Sequence, residues 1–148
     1  MLEEFKKLVK SEGFLKLAKE PVCLEIIKLI FPQLRNIEFF NNLNNFAKEK
    51  IKKMDFIFLL SLMIIDGSDN AEYFMYKFNL SNKDKKRISF LNGFFSNKNN
   101  NKKFDQKNLQ KIFYYNGKQS LLDLLYFWTI THVFYIIKIV CFIIYLII

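Results

Sequence analysis

The sequence predicts an all-α protein, and three observations point there. Apolar residues recur at three- and four-residue spacing in one segment after another. No alternation of strand period persists anywhere, and four Gly with two Pro in 148 residues are too few for a turn-dense β chain. At that length one core is the default, and a content of 51% apolar and 25% charged residues excludes wholesale disorder. The 18 Phe and 7 Tyr make the core aromatic, although richness in Asn, Lys, Ile and Phe also matches an AT-rich coding sequence. The expected architecture is a succession of short packed helices ending in a long apolar helix. Residues 1–125 form the helical body and 126–148 the apolar end.

The elements follow in order. Leu2, Phe5, Leu8 and Val9 share a helix face between Glu3, Glu4, Lys6, Lys7 and Lys10, and Gly13 interrupts this first helix. Phe14, Leu15, Leu17 and Ala18 continue the stripe. Pro21 suits the first turn of a helix carrying Leu24, Ile27, Ile30 and Phe31 on one face, which Pro32 ends. Asn36 is placed to cap a helix bearing Ile37, Phe40 and Leu43. The basic run Lys48-Glu49-Lys50-Ile51-Lys52-Lys53 leads into Met54–Ile65, which is apolar nearly all round, too short to span a bilayer, and read as a central buried helix. Asp66-Gly67-Ser68-Asp69-Asn70 is a turn; Asp69 with Glu72 has the form of a capping box opening Ala71–Phe78, and Ser81 with Asp84 repeats it. The helix so started points Ile88, Leu91 and Phe95 toward the core. The segment from Ser96 to Lys103 is a polar, basic loop, and Leu109, Ile112 and Phe113 mark a helix stopped at Asn116-Gly117, residues that accept a left-handed backbone.

Lys and Arg number 23 against 14 acids, a net +9, and residues 121–148 contribute only Asp123 and Lys138, which cancel. The charge therefore sits on the body, and such a body attracts polyanions, either nucleic acid or an anionic membrane surface. Catalytic constellations are missing from the sequence: His132 is the single histidine, and there is no Gly-rich phosphate loop, Cys-x-x-Cys or His-Glu-x-x-His. Asp66 and Asp69 are spaced as turn and cap residues rather than as a two-metal pair. Cys23 and Cys141 build neither a disulfide framework nor a zinc site, and Met1-Leu2-Glu3-Glu4 does not read as a signal peptide, so a reducing cytoplasm is expected. The sharpest feature is Leu80-Ser81-Asn82-Lys83-Asp84-Lys85-Lys86-Arg87-Ile88, a capped helix start with four cations. Lys83, Lys86 and Arg87 share one side next to the side bearing Ile88 and Leu91, so packing is expected to aim them outward, where they suit phosphate oxygens. Lys83, Lys85, Lys86, Arg87, Lys98, Lys102 and Lys103 are accordingly the candidate RNA-binding residues; no catalytic or metal-binding residue is assigned.

Leu29-Ile30-Phe31-Pro32-Gln33-Leu34 after a helix, the buried helix Asp55–Ile65, Leu80–Ile88, and Phe113-Tyr114-Tyr115-Asn116-Gly117-Lys118 before Leu121-Leu122-Asp123-Leu124-Leu125 form a series. This series resembles the C-terminal body of bacterial class II CCA-adding tRNA nucleotidyltransferases and their poly(A) polymerase relatives. The resemblance covers roughly Leu2 to Leu125 and implies a helical, neck-and-body-like RNA-binding region that holds tRNA. In that family a head with Gly-Ser followed by Asp-x-Asp binds Mg2+, and a neck motif Glu-Asp-x-x-Arg reads CTP or ATP. Neither occurs here: Gly67-Ser68 has no Asp-x-Asp after it, and Asp84-Lys85-Lys86-Arg87 follows Lys83 rather than Glu. The resemblance thus implies tRNA or another structured RNA as partner, a catalytic head encoded elsewhere, no cofactor in this chain, and no catalysis by it alone.

From Leu124 to Ile148 the chain is apolar except for Thr129, Thr131, His132 and Lys138, with sixteen residues that are Leu, Ile, Val or Phe. On an insertion scale these favour the membrane by about 5–10 kcal/mol, against about 3 for a central lysine. Three readings stand side by side: a C-terminal anchor holding the basic body at the cytoplasmic membrane face, a helix buried against the body, and a non-native end from a frameshift. The first makes the chain a small tail-anchored membrane protein without enzymatic activity, the alternative to the RNA-binding reading.

Overall fold

The computed structural model describes residues 1–96 and 103–132, and the chain divides into two units, Met1–Asn97 and Lys98–Ile148. All regular structure among the described residues is helical, in agreement with the all-α expectation.

The first unit opens with α1 (Leu2–Lys10), which buries Phe5 and Val9 and opposes its own dipole with Glu3 and Glu4 at the start and Lys7 and Lys10 at the end. After Ser11–Gly13 comes the single turn α2 (Phe14–Leu17), and then α3 (Pro21–Ile30) with Pro21 in its first turn. Leu24, Ile27 and Phe31 are buried, but Ile30, expected beside them, is 47% exposed. At about 100° per residue Phe31 falls between Leu24 and Ile27 around the helix, whereas Ile30 lies about 120° from Leu24. A 3-10 helix, Ile37–Asn42, replaces the α-helix expected there. Next are α4 (Asn45–Lys53), capped where Asn44 Oδ1 accepts from the Ala47 N–H at 2.8 Å, and α5 (Phe56–Ile64). The unit closes with α6 (Asn70–Lys77) and α7 (Asn82–Ser96).

The expected central helix is α5, with all residues but Ile57 buried. Packed on it are α1, the 3-10 helix, α6 and α7. Phenylalanines link these elements: Phe5 meets Phe31 at 4.7 Å and Phe56 at 6.1 Å, Phe31 meets Phe78 at 5.4 Å, and Phe78 meets Phe74 at 4.5 Å between ring centroids. Such pairs add about 0.5–1.5 kcal/mol each beyond the area they bury.

A buried helix leaves its last carbonyls without partners unless side chains or turns supply donors. Two asparagines do so. Asn36 donates its backbone N–H to Met63 O at 3.0 Å and its Nδ2 to Ile65 O at 2.6 Å; Asn70 Nδ2 donates to Ile64 O at 2.8 Å and Gln33 O at 2.7 Å. Asn36 therefore finishes α5 instead of capping the helix that follows it. The neighbouring turn also departs from expectation: Asp69 makes no side-chain cap bond, and the Asn70 N–H is taken by Ser68 Oγ at 3.2 Å. Gly67, at φ +82°, lets Asp66 accept from both the Ser68 N–H and hydroxyl and pair with Arg35 at 2.9 Å.

In the second unit Asp105 caps α8 (Gln106–Thr131) by accepting from the Asn108 N–H at 2.8 Å. The helix is broken where expected: Gly117 sits at φ 83°, ψ 171° and divides it. Its second part passes residue 125 unbroken and buries Leu121, Leu124, Leu125, Phe127 and Ile130. Phe104 packs on Trp128 at 4.5 Å, and His132, the lone histidine, stacks on Trp128 at 4.0 Å. No helix among the described residues is long and apolar enough to cross a membrane, so the expected long apolar ending is not found there. The rest of that apolar run, residues 133–148, lies outside the described residues.

Candidate nucleic-acid interface

The geometry of the basic residues starts at one peptide, Met54–Asp55, the joint between α4 and α5. Both residues are extended, at ψ 151° and 166°. This frees the Met54 carbonyl and aims the Asp55 side chain back along α5. Asp55 Oδ1 accepts from the Phe58 N–H at 3.0 Å, a helix cap. Its Oδ2 accepts from Arg87 Nη1 at 2.6 Å, across 32 positions of sequence. On the other side of the peptide, Lys10 Nζ donates to Met54 O at 2.6 Å, 44 positions away. The C-terminal ends of α1 and α4 and the first turns of α7 therefore meet at one place, and each brings cations: Lys10, then Lys52 and Lys53, then Lys83, Lys86 and Arg87.

Their states differ. Lys53, Lys83 and Lys86 are exposed, and their side chains make no hydrogen bond or ion pair among the described residues. Lys52 is exposed and pairs with Glu49 at 3.3 Å. Arg87 is not aimed outward as the helix spacing suggested: its side chain is 20% exposed and laid on the carboxylate of Asp55. That contact requires α7 to lean on the start of α5, a tertiary arrangement that residue spacing cannot report. Lys85 is half-buried on α7, and Lys103 is half-buried at the approach to α8, where its carbonyl accepts from Asn108 Nδ2 at 2.7 Å. Lys98 and Lys102 lie outside the described residues. The sequence reading missed Lys10, Lys52 and Lys53 as members of the group. Only the basic run before Met54 hinted at two of them.

Two acids at the joint, Asp55 and Asp84, have partners. Burial pushes the Asp55 carboxyl up, but the Phe58 N–H and the Arg87 guanidinium outweigh this and hold it below the ordinary carboxylate value. Ser81 Oγ accepts from the Asp84 N–H at 3.2 Å, the cap predicted at the start of α7, but Asp84 accepts from Ser81 Oγ at 2.6 Å instead of from its backbone N–H, so the reciprocal half of the capping box is replaced. A groove of about 800 Å³ adjoins this face, with Val9, Phe14 and Ile51 in its wall and Ser11, Glu12, Lys16 and Lys52 as its polar lining. Chemically the arrangement offers ammonium groups on three helix ends that meet at one joint. Such groups bind phosphate oxygens as point charges and carry no base-reading geometry. Among the described residues no group of three His, Cys, Asp or Glu side chains is disposed to hold a metal ion.

Against known proteins, the chain matches no family model, no curated protein and no solved structure.

Proposed function

We propose that this chain binds the phosphate backbone of structured RNA, tRNA foremost, through the face formed by Lys10, Lys52, Lys53, Lys83 and Lys86. In this reading it is a helical holding module for tRNA 3′-end processing, akin to the body of a CCA-adding tRNA nucleotidyltransferase or poly(A) polymerase relative, with catalysis supplied by a separately encoded head. The observation that supports it is the meeting of three sequence-remote cationic segments at the Met54–Asp55 peptide, where the Asp55 carboxylate is already paired with Arg87. A solvated basic surface needs no such convergence.

Each phosphate neutralised releases counterions, so log K falls with log salt by roughly 0.7 to 0.9 for every contact. The five lysines changed together to glutamine are expected to lower the slope for tRNA by about 3.5 to 4.5 and to weaken binding by more than tenfold at moderate salt. Unaltered affinity and slope in that variant would refute the assignment. An anionic membrane surface is the other partner suited to a net +9 chain. Sedimentation with phosphatidylserine vesicles, combined with no measurable tRNA binding, would replace RNA by lipid.

A further inference from the structure

The second unit carries a surface that the phosphate-binding face does not use. Three consecutive aromatic residues at the end of the first part of α8 stand in solvent: Phe113 is 50% exposed, Tyr114 80% and Tyr115 77%. The periodicity placed Phe113 with Leu109 and Ile112, yet only those two are buried. Gly117 turns the chain out of helical geometry two residues after Tyr115, so no further turn of the same helix continues past these rings.

Scattered exposed apolar residues need no explanation, but three aromatics in succession call for one. The Tyr114 and Tyr115 rings stand at 89° with centroids 5.1 Å apart. An edge-to-face pair of this kind leaves each ring at least one face not covered by the other. The charges flanking them in sequence have one sign: Lys107, Lys111 and Lys118 are exposed, and there is no acid between Asp105 and Asp123. Exposed Tyr73 and Tyr76 on α6 differ in this respect, since Asp69 and Glu72 precede them.

We infer that Phe113, Tyr114 and Tyr115, flanked by Lys111 and Lys118, form a stacking platform for unpaired nucleotides of an RNA strand. Aromatic faces with adjacent cations are the chemistry of sequence-tolerant single-strand binding, with bases on the rings and phosphates on the lysines. Bases in a duplex are already stacked, so the platform selects single-stranded segments. The inference rests on the RNA-binding reading above and adds a second kind of contact to it.

The test compares a short oligouridylate with the same strand made abasic at its central nucleotides, both titrated onto the full chain. Wild type is expected to bind the base-bearing strand at least about fivefold more tightly. Tyr114→Ala/Tyr115→Ala should abolish that preference and leave affinity for the abasic strand unchanged. Tyr114→Phe/Tyr115→Phe, which keeps the rings, and Tyr76→Ala should both retain the preference. Equal, salt-sensitive binding of the two strands by wild type would overturn the platform while leaving the phosphate-binding face intact. Binding of neither strand would overturn both. Loss in the double alanine variant of phosphatidylserine-vesicle binding alone would assign the rings to lipid and overturn the inference.

Discussion

Two exposed regions of this chain are held out by opposite means. The lysines near Met54 stand on helix ends fixed by long-range polar contacts above a core that is rich in phenylalanine. The rings before Gly117 project from a helix that ends on a residue in a conformation open only to glycine. In the first region, position is set by contacts across more than thirty residues; in the second, by the backbone of four or five neighbours. The difference shows that exposure has no single cause, and that a display of charge and a display of aromatic surface fail under different substitutions.

One chemical change most sharply divides the core beneath the first region from the aromatic display of the second. Truncating Phe58, fully buried in α5, to alanine should cost about 3–5 kcal/mol in urea unfolding. The same truncation of Tyr114 should stay within about 0.5 kcal/mol. Equal costs would erase the distinction between core and display.

Next in size is the glycine. At φ 83°, ψ 171° a Cβ meets no neighbouring atom, so Gly117→Ala tests backbone strain alone. It should destabilise by about 1–3 kcal/mol and raise protection of the adjacent tyrosines from solvent if the helix rectifies. A neutral substitution would mean that the break is not what holds the rings out.

Asp55 tests the first region. Asp55→Ala removes the cap of α5 and the partner of Arg87, and should cost about 1–2 kcal/mol, while Asp55→Asn keeps a capping oxygen and should cost less. Identical losses would leave the cap without a role. The smallest effect is one of pH. Because the folded-state value of Asp55 lies below the ordinary 3.8, its contribution is complete above that value and is lost as pH falls toward the lowered folded one. Asp66, also lowered, acts in the same direction; burial raises it, but bonds from Ser68 and Arg35 prevail. The acid limb of the stability curve should therefore be shallower in Asp55→Asn, and an unchanged limb would remove the carboxylate from that account.

Much of the first region was readable in advance where the cause was local. Pro21 and Pro32 bound α3, an unbroken apolar run marks α5 as central, and Ser81 with Asp84 starts α7 where expected. Asp69 and Asn36 were misread because short polar side chains have several backbone partners within reach. Which one they take depends on their surroundings: Asn36 takes the end of α5, 29 residues away, and Asp69 takes no cap N–H, while Ser68 accepts from the Asn70 N–H beside it. The candidate site divides the same way, since Lys83 and Lys86 were found from helix spacing, whereas Lys10 joins them only through the Met54 carbonyl.

What the sequence by itself determined is helicity, the central place of Phe56–Ile64, the break at Gly117 and the net positive charge, because each follows from periodicity, from one residue's backbone freedom or from a sum over side chains. Only the tertiary structure decided which cations meet, that Arg87 lies on Asp55 instead of in solvent, and which asparagines close the end of α5. Such contacts join groups 29 to 44 positions apart, or choose among several partners of equal chemistry. Their geometry exists only after the hydrophobic core has brought the helices together.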